Sequence, residues 1–73
     1  MLNLNIFGKY VIAFTYISDE SGKRVSKIKE KKAKNAQIVV NDIRNDYSDK
    51  NNFRIEYVCF ISNGTWKVDN TWS

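Results

Sequence analysis

The dipeptide Asn63-Gly64 lies between two runs of alternating residues in "FRIEYVCFISNGTWKVDNTW". Both residues tolerate a positive φ, so this pair favours the type I′ turn of a two-residue β-hairpin loop. A loop of that length fixes which residues face each other across the two strands. The predicted cross-strand pairs are Ser62 with Thr65, Ile61 with Trp66, Cys59 with Val68 and Ile55 with Trp72. The C-terminal part of the chain is therefore predicted to be an antiparallel hairpin.

The alternation divides the apolar residues of this hairpin between two faces. The larger set consists of Ile55, Tyr57, Cys59, Ile61, Trp66, Val68 and Trp72. We expect that face to form the core, covered by a helix. The opposite face carries Arg54, Glu56, Lys67 and Asp69, with Val58 and Phe60 among them. On this interpretation Val58 and Phe60 lie on the side that the helix does not cover.

Two further strands and a helix are predicted before the hairpin. "YVIAFTYI", Tyr10 to Ile17, is apolar on both alternating faces, which is typical of a central strand. After the polar turn "SDESG", the run "KRVSKIKEKK" is predicted to return antiparallel, with its lysine-rich end at the sheet edge. Asn35 is a good N-cap for a helix. Apolar residues then follow at helical spacing: Ala36, Val39, Val40, Ile43 and Tyr47.

The predicted fold is therefore α+β: a single small domain, residues 1–73, with a ββαββ antiparallel sheet and one helix packed on one face. One helix leaves the far side of the sheet open. Residues 1–9 could cover that side as an N-terminal flap or add an edge strand. The alternative is a dimer or partner surface, for which the candidate apolar interface is Val58, Phe60 and Ile38, the last lying opposite the buried stripe of the helix.

Positive charge is concentrated in one segment, from Lys23 to Lys34. It contains one acid, Glu30, and seven cations: Lys23, Arg24, Lys27, Lys29, Lys31, Lys32 and Lys34. Subtracting this local charge of +6 from the whole-chain +4 leaves −2 for the rest of the chain. These seven residues, the basic cluster, are the candidate binding site. Clustered lysines gain affinity for nucleic acid by releasing counterions, but lysines on an edge strand also deter aggregation.

No pattern in the sequence indicates catalysis, a metal or a cofactor. The chain has no histidine and a single cysteine, Cys59, so neither an internal disulfide nor a Cys/His zinc site can form. Cys59 lies in the apolar run "EYVCFI" and is expected to be a small buried side chain. No glycine-rich phosphate loop or nucleophile triad is present. The prediction is a non-enzyme without cofactor or metal.

The apolar run from Tyr10 to Ile17 is too short to span a bilayer, and the N-terminus lacks the basic region of a signal peptide. These features predict a soluble, cytoplasmic protein that does not bind a membrane.

The layout "YVIAFTYISDESGKRVSK…KKAKNAQIVVNDI…FRIEYVCFISNGTWKVD" resembles the small phage-encoded ββαββ anti-CRISPR inhibitor proteins. The resemblance covers Tyr10 to Asp69 and depends on element order and size. It implies a non-enzymatic blocker, in the cytoplasm of a host cell. The stretch "FTYISDESGKRVSKIKEKKAKNAQIVVNDI" is also similar to the arm-type DNA-binding domains of tyrosine integrases, although the long hairpin after the helix departs from that family.

The leading functional hypothesis is an inhibitor from a phage or other mobile element. It would block a host protein or ribonucleoprotein complex, of the CRISPR type or another nucleic-acid-processing kind, through the basic cluster. The alternative is a nucleic-acid-binding module of low sequence specificity that uses the same lysines. A third hypothesis is a small structural subunit that forms a homodimer.

Overall fold

The computed structural model describes residues 8–72. Within that range lie four strands and one helix: β1 (Gly8–Ile17), β2 (Arg24–Ala33), α1 (Ala36–Asp46), β3 (Asn51–Ser62) and β4 (Thr65–Val68). The strands form one antiparallel sheet in the order β2-β1-β3-β4. The α+β ββαββ fold is therefore confirmed. Most of the predicted N-terminal flap, residues 1–7, lies outside the described residues, whereas Gly8 and Lys9 begin β1.

β1 is a central strand, hydrogen-bonded to β2 on one side and to β3 on the other. Its residues from Tyr10 to Thr15 are all buried, as expected for a strand with apolar side chains on both faces. The turn after β1 is closed by backbone hydrogen bonds between Ser18 and Lys23 and between Gly22 and Ser18. β2 then runs back along β1 for its full length, and its other side is a sheet edge.

The hairpin turn has the conformation that its sequence predicts. Asn63 and Gly64 have φ values of 52° and 77°, as a type I′ turn requires. Ser62 pairs with Thr65, Ile61 with Trp66 and Cys59 with Val68. The predicted pairing of Ile55 with Trp72 does not form, because β4 ends at Val68 and the next turn is closed by Thr71, whose N–H and hydroxyl both donate to the Asp69 carboxylate.

α1 begins as predicted. Asn35 is its N-cap, and the Asn35 side-chain oxygen accepts a hydrogen bond from the Ile38 N–H at 3.0 Å. The buried residues of the helix are Ala36, Val39, Val40 and Ile43. They pack on Tyr10, Ile12 and Phe14 of β1, and Tyr47 closes the end of this core against Phe14, with ring centroids 4.7 Å apart.

The face of β3 that the helix covers is opposite to the one predicted. Val58 is fully buried in the core, and half-buried Phe60 packs against it, with its ring 5.2 Å from that of Tyr10. Val58 pairs with Ile12, and Phe60 pairs with Tyr10, so both lie beneath the helix. The prediction that they lie on the uncovered side is wrong. Their apolar neighbours on the predicted core face, including Tyr57, Cys59 and Ile61, lie on the uncovered side instead.

Two features of the chain explain this difference. Along β1 the larger side chains, Tyr10, Ile12 and Phe14, alternate with the smaller Val11, Ala13 and Thr15, and the helix covers the larger set. β3 also contains an irregularity: Ala13 pairs with Tyr57 but Phe14 pairs with Ile55, so one residue of β3 is extra. Such a bulge reverses the alternation of faces beyond it. Ile55 therefore packs against the core although Tyr57 does not, and Trp72 also reaches the core as predicted.

Candidate functional site

The basic cluster lies mostly on β2, at the edge of the sheet. Five of its seven cations belong to this strand: Arg24, Lys27, Lys29, Lys31 and Lys32. Lys23 and Lys34 flank it, the first in the turn after β1 and the second just before the helix cap. The predicted position at a sheet edge is therefore confirmed. Each of these residues is exposed except Lys31, whose side chain is partly covered.

The pleat of β2 sorts these cations onto two faces. Lys27, Lys29 and Lys31 pair with Phe14, Ile12 and Tyr10, and so lie on the face that carries the helix. We call these three lysines the lysine row. Alternate residues of a strand are separated by about 6.6 Å, so the row is a regular ladder of charge beside the core. Arg24 and Lys32 lie on the other face, which we call the open face.

The lysine row is only lightly neutralised by the residues around it. Lys31 Nζ lies 3.9 Å from the Asp42 carboxylate on the helix, a weak and partly exposed ion pair. Lys29 Nζ lies over the Tyr47 ring, 5.8 Å from its centroid. This cation–π contact orients the ammonium group of Lys29 but does not neutralise its charge. Glu30, the one acid of the segment, lies on the open face and pairs with Lys9 at 3.8 Å.

Arg24 differs from the lysines because its guanidinium makes hydrogen bonds within the fold. Arg24 Nη1 donates to the hydroxyl of Thr15 at 2.7 Å and to the carbonyl oxygen of Asn52 at 3.1 Å. Thr15 is buried, and its hydroxyl in turn lies 3.5 Å from the Glu56 carboxylate. Arg24 therefore connects β2, β1 and the start of β3, a structural role that the sequence did not indicate.

Of the three residues predicted to form an apolar interface, two pack in or against the core and one is exposed. Val58 is buried and Phe60 packs against the core, so neither forms an exposed apolar surface. Ile38 does lie on the outer side of the helix, where it is 39% exposed beside the Gln37–Asn41 hydrogen bond. An isolated apolar residue of this kind is common on protein surfaces.

A larger apolar surface lies on the open face. It consists of four exposed residues contributed by three strands: Ile28 (65% exposed), Tyr57 (37%), Trp66 (56%) and Val68 (63%). Half-buried Ile61 and buried Cys59 lie between them. Sequence reasoning grouped the hairpin members of this set on one face but assigned that face to the core, and it did not single out Ile28 of β2. The size of the β1 side chains was the signal that could have placed it correctly.

The open face also contains a hollow, of about 330 Å³. The residues that line it are Ala13, Phe14, Thr15, Ser26, Lys27, Ile28, Glu56 and Tyr57. Because Ala13 and Ser26 are smaller than their neighbours, the pleated surface is depressed at this point. The hollow and exposed Trp66 lie at opposite ends of the face, on different strands.

One titratable group on the helix side has a shifted pKa. Burial raises the pKa of the Tyr10 hydroxyl above its usual value of 10.0, and the negative charge of Asp69 adds to this effect. Tyr10 therefore stays neutral at physiological pH and supplies no charge to the adjacent lysine row. Its ring is part of the hydrophobic core.

The described residues contain neither a metal centre nor a membrane-spanning helix. No group of three or more His, Cys, Asp or Glu side chains in residues 8–72 is arranged to hold a metal ion. α1 has eleven residues, and no helix in this part of the chain is long and apolar enough to cross a membrane.

No protein-family model matches this chain, and no curated protein or solved structure matches it either. The resemblance to the anti-CRISPR inhibitors therefore stays a prediction from layout.

Proposed function

We propose that this chain is a non-enzymatic binding protein whose basic cluster contacts the phosphate backbone of nucleic acid, free or within a ribonucleoprotein complex. The observation that carries this proposal is the lysine row. Lys27, Lys29 and Lys31 lie on one face of an edge strand, and the acid nearest to them is Asp42, 3.9 Å from Lys31. Cations that retain their charge and lie at a regular spacing attract a polyanion and release its counterions.

The residue types favour backbone contacts over base readout. Base edges are read by bidentate groups, above all by arginine on guanine. Arg24, the arginine of the basic cluster, is held by Thr15 and Asn52. Lysine acts as a point charge on phosphate. Binding is therefore expected to be nearly independent of sequence.

The arrangement also favours a duplex over a single strand. Single-strand binding surfaces interleave cations with exposed aromatic rings on which bases stack. Here the exposed aromatic residues Tyr57 and Trp66 lie on the open face, whereas the lysine row lies on the helix side of the sheet. A single strand that follows the lysine row would therefore not stack its bases on these two rings.

The test is a titration of labelled duplex and single-stranded oligonucleotides at several salt concentrations. We expect the affinity for duplex to fall steeply as salt rises, with little difference between sequences. In Lys27→Ala/Lys29→Ala the slope of log K against log salt should decrease by about 1 for each phosphate that the variant no longer neutralises.

The matched control is Arg44→Ala/Lys67→Ala. This variant makes the same change in net charge, but Arg44 lies in the last turn of α1 and Lys67 on β4, away from β2. The control should retain the wild-type slope. An equal decrease in both variants would show a general effect of net charge. Absence of duplex binding at low salt would end the proposal.

The second candidate function is inhibition of a host defence or nucleic-acid-processing complex. The open face favours it, because an apolar surface beside a basic one allows contact with a protein as well as with the nucleic acid that the protein holds. If this candidate holds, Val68→Ser should lower inhibition of such a complex while duplex binding by the isolated protein is unchanged, because Val68 lies on β4, away from the basic cluster, and the substitution adds no charge. Equal inhibition by Val68→Ser and wild type would remove this candidate.

A further inference from the structure

The open face carries a projecting side chain and a depression at different places. Trp66 projects from β4, 56% exposed, beside the hairpin turn. The hollow over Ala13 and Ser26 lies toward β2 and the other end of the sheet. We propose that this face is an interface between two copies of this chain, in which Trp66 of each copy fills the hollow of the other. A two-fold axis between the two features would bring both pairs together, as an isologous interface requires.

The size of the hollow fits this occupant. It holds about 330 Å³ and has an aromatic wall, Tyr57, and an aliphatic wall, Ile28. An indole ring buries 150–250 Å² when it is enclosed and gains further from contact with another ring, in the range of about 0.5–1.5 kcal/mol. Its N–H would enter a site that already contains acceptors, the Glu56 carboxylate and the Ser26 hydroxyl. The hollow therefore offers both the apolar surface and the polar partner that tryptophan needs.

The area of the face fits a reversible dimer. Strands about 4.8 Å apart and four to twelve residues long give an open face of roughly 500 Å². Two such faces would bury about 1,000 Å², which is the lower limit for a specific interface. The dimer should therefore dissociate on dilution.

The charged residues described on the open face also allow a second copy of the chain to bind there. Glu30 already pairs with Lys9 at 3.8 Å, and Glu56 with Arg54 at 3.5 Å. The guanidinium of Arg24 is bonded within the fold. Lys29 and Lys31 of the lysine row lie on the helix side, and Lys31 pairs there with Asp42, so a second copy on the open face would not oppose them. The cations that remain near the contact are Lys27, which lines the hollow, and Lys32 on the open face.

A second copy would add to the apolar surface that this small domain buries. A domain of 73 residues buries a small core, and domains of this size often gain stability from disulfides, metals or association. A single cysteine and the absence of histidine rule out a disulfide within one copy and a Cys/His zinc site. The four exposed apolar residues of the open face are the natural surface for the third.

The test is sedimentation of the full chain across a wide range of protein concentration. We expect a monomer–dimer equilibrium for the wild type. Ile28→Asp and Trp66→Lys should each weaken it by about tenfold or more, because each puts a charge into the apolar contact. Both residues are exposed in the monomer, so the fold should be retained, and far-UV circular dichroism checks this.

Ile38→Asp is the matched control. It makes the same substitution at an exposed isoleucine on the outer side of the helix, and it should leave the equilibrium unchanged. A wild type that remains monomeric at its highest soluble concentration would overturn the proposal. So would a dimer that survives Ile28→Asp but dissociates in Ile38→Asp.

The wild type offers a second readout that needs no substitution on the interface. Trp66 emission should shift to shorter wavelength as protein concentration rises, since its indole leaves water. Trp72 is the other tryptophan, and it already packs against the core. Trp72→Phe should therefore keep the shift. An emission spectrum that does not change over the range in which the dimer forms would contradict the placement of Trp66.

Discussion

Gly8 shows how one residue at the start of β1 is fixed by a ring on the neighbouring strand. A Cβ built at this position would overlap with Cε1 of the Phe60 ring. The ring cannot easily move away, because it packs against Tyr10, with centroids 5.2 Å apart. Glycine is therefore needed here for space, and its freedom of φ is not the reason.

Gly8→Ala is expected to destabilise the fold by about 1–3 kcal/mol, the usual cost of overpacking. Urea unfolding measures this destabilisation. In a Phe60→Leu background the same change should cost less, because the overlapping ring atom is gone; a double-mutant cycle isolates this coupling. An identical cost of Gly8→Ala in both backgrounds would contradict the explanation.

At the scale of elements, the N-cap of α1 is the contact most easily tested. Asn35 satisfies the Ile38 N–H at 3.0 Å, so Asn35→Ala should lower the free energy of unfolding by about 1 kcal/mol. Asn35→Asp keeps the oxygen acceptor and should stay close to the wild type. Thermal unfolding followed by circular dichroism distinguishes them. An equal destabilisation in both variants would show that the hydrogen bond does not matter.

Local signals predicted the elements well because each depends on near neighbours in the chain. Asn63-Gly64 fixes a turn by its backbone conformation, and Asn35 caps a helix by its own side chain. The basic edge was also predictable, since a lysine-rich strand is stable only where water reaches it. These features required no knowledge of the rest of the sheet.

Packing between distant segments, and not local sequence, decides which side of the sheet the helix covers. The alternation within β3 predicts Val58 and Phe60 on the uncovered side, because their face carries more charged residues. The helix packs instead where Ile12 and Phe14 supply the larger side chains, and the bulge near Tyr57 lets Ile55 join them. Neither comparison is visible within β3 alone, so sequence reasoning missed the open face of the candidate site.

At the scale of the whole molecule, charge is distributed unevenly over the two faces and the edge. The segment from Lys23 to Lys34 carries +6, while the rest of the chain carries −2. The lysines of the row start from backbone positions about 6.6 Å apart, and two unit charges at that separation repel each other by roughly 0.6 kcal/mol even in water. The weak surface ion pairs of Lys9, Lys31 and Arg54 act in the opposite direction.

This balance predicts that added salt stabilises the fold. Screening removes repulsion within the basic cluster more than it weakens three exposed ion pairs, so the midpoint of urea unfolding should rise between low salt and about 0.5 M NaCl. Urea is the suitable denaturant because it carries no charge. Lys27→Glu should raise stability at low salt and reduce the effect of salt, because it adds an opposite charge beside Lys29.

Lys67→Glu on β4 is the control for that substitution, since it changes the same charge outside the basic cluster. It should leave most of the salt effect in place. A wild type that salt destabilises would mean that the ion pairs dominate, and the lysine row would then be part of a balanced surface. If Lys27→Glu gains stability as expected and no longer binds duplex, the lysine row lowers the stability of the fold but is needed for binding. A binding surface explains that combination, whereas lysines that only deter aggregation at a strand edge do not.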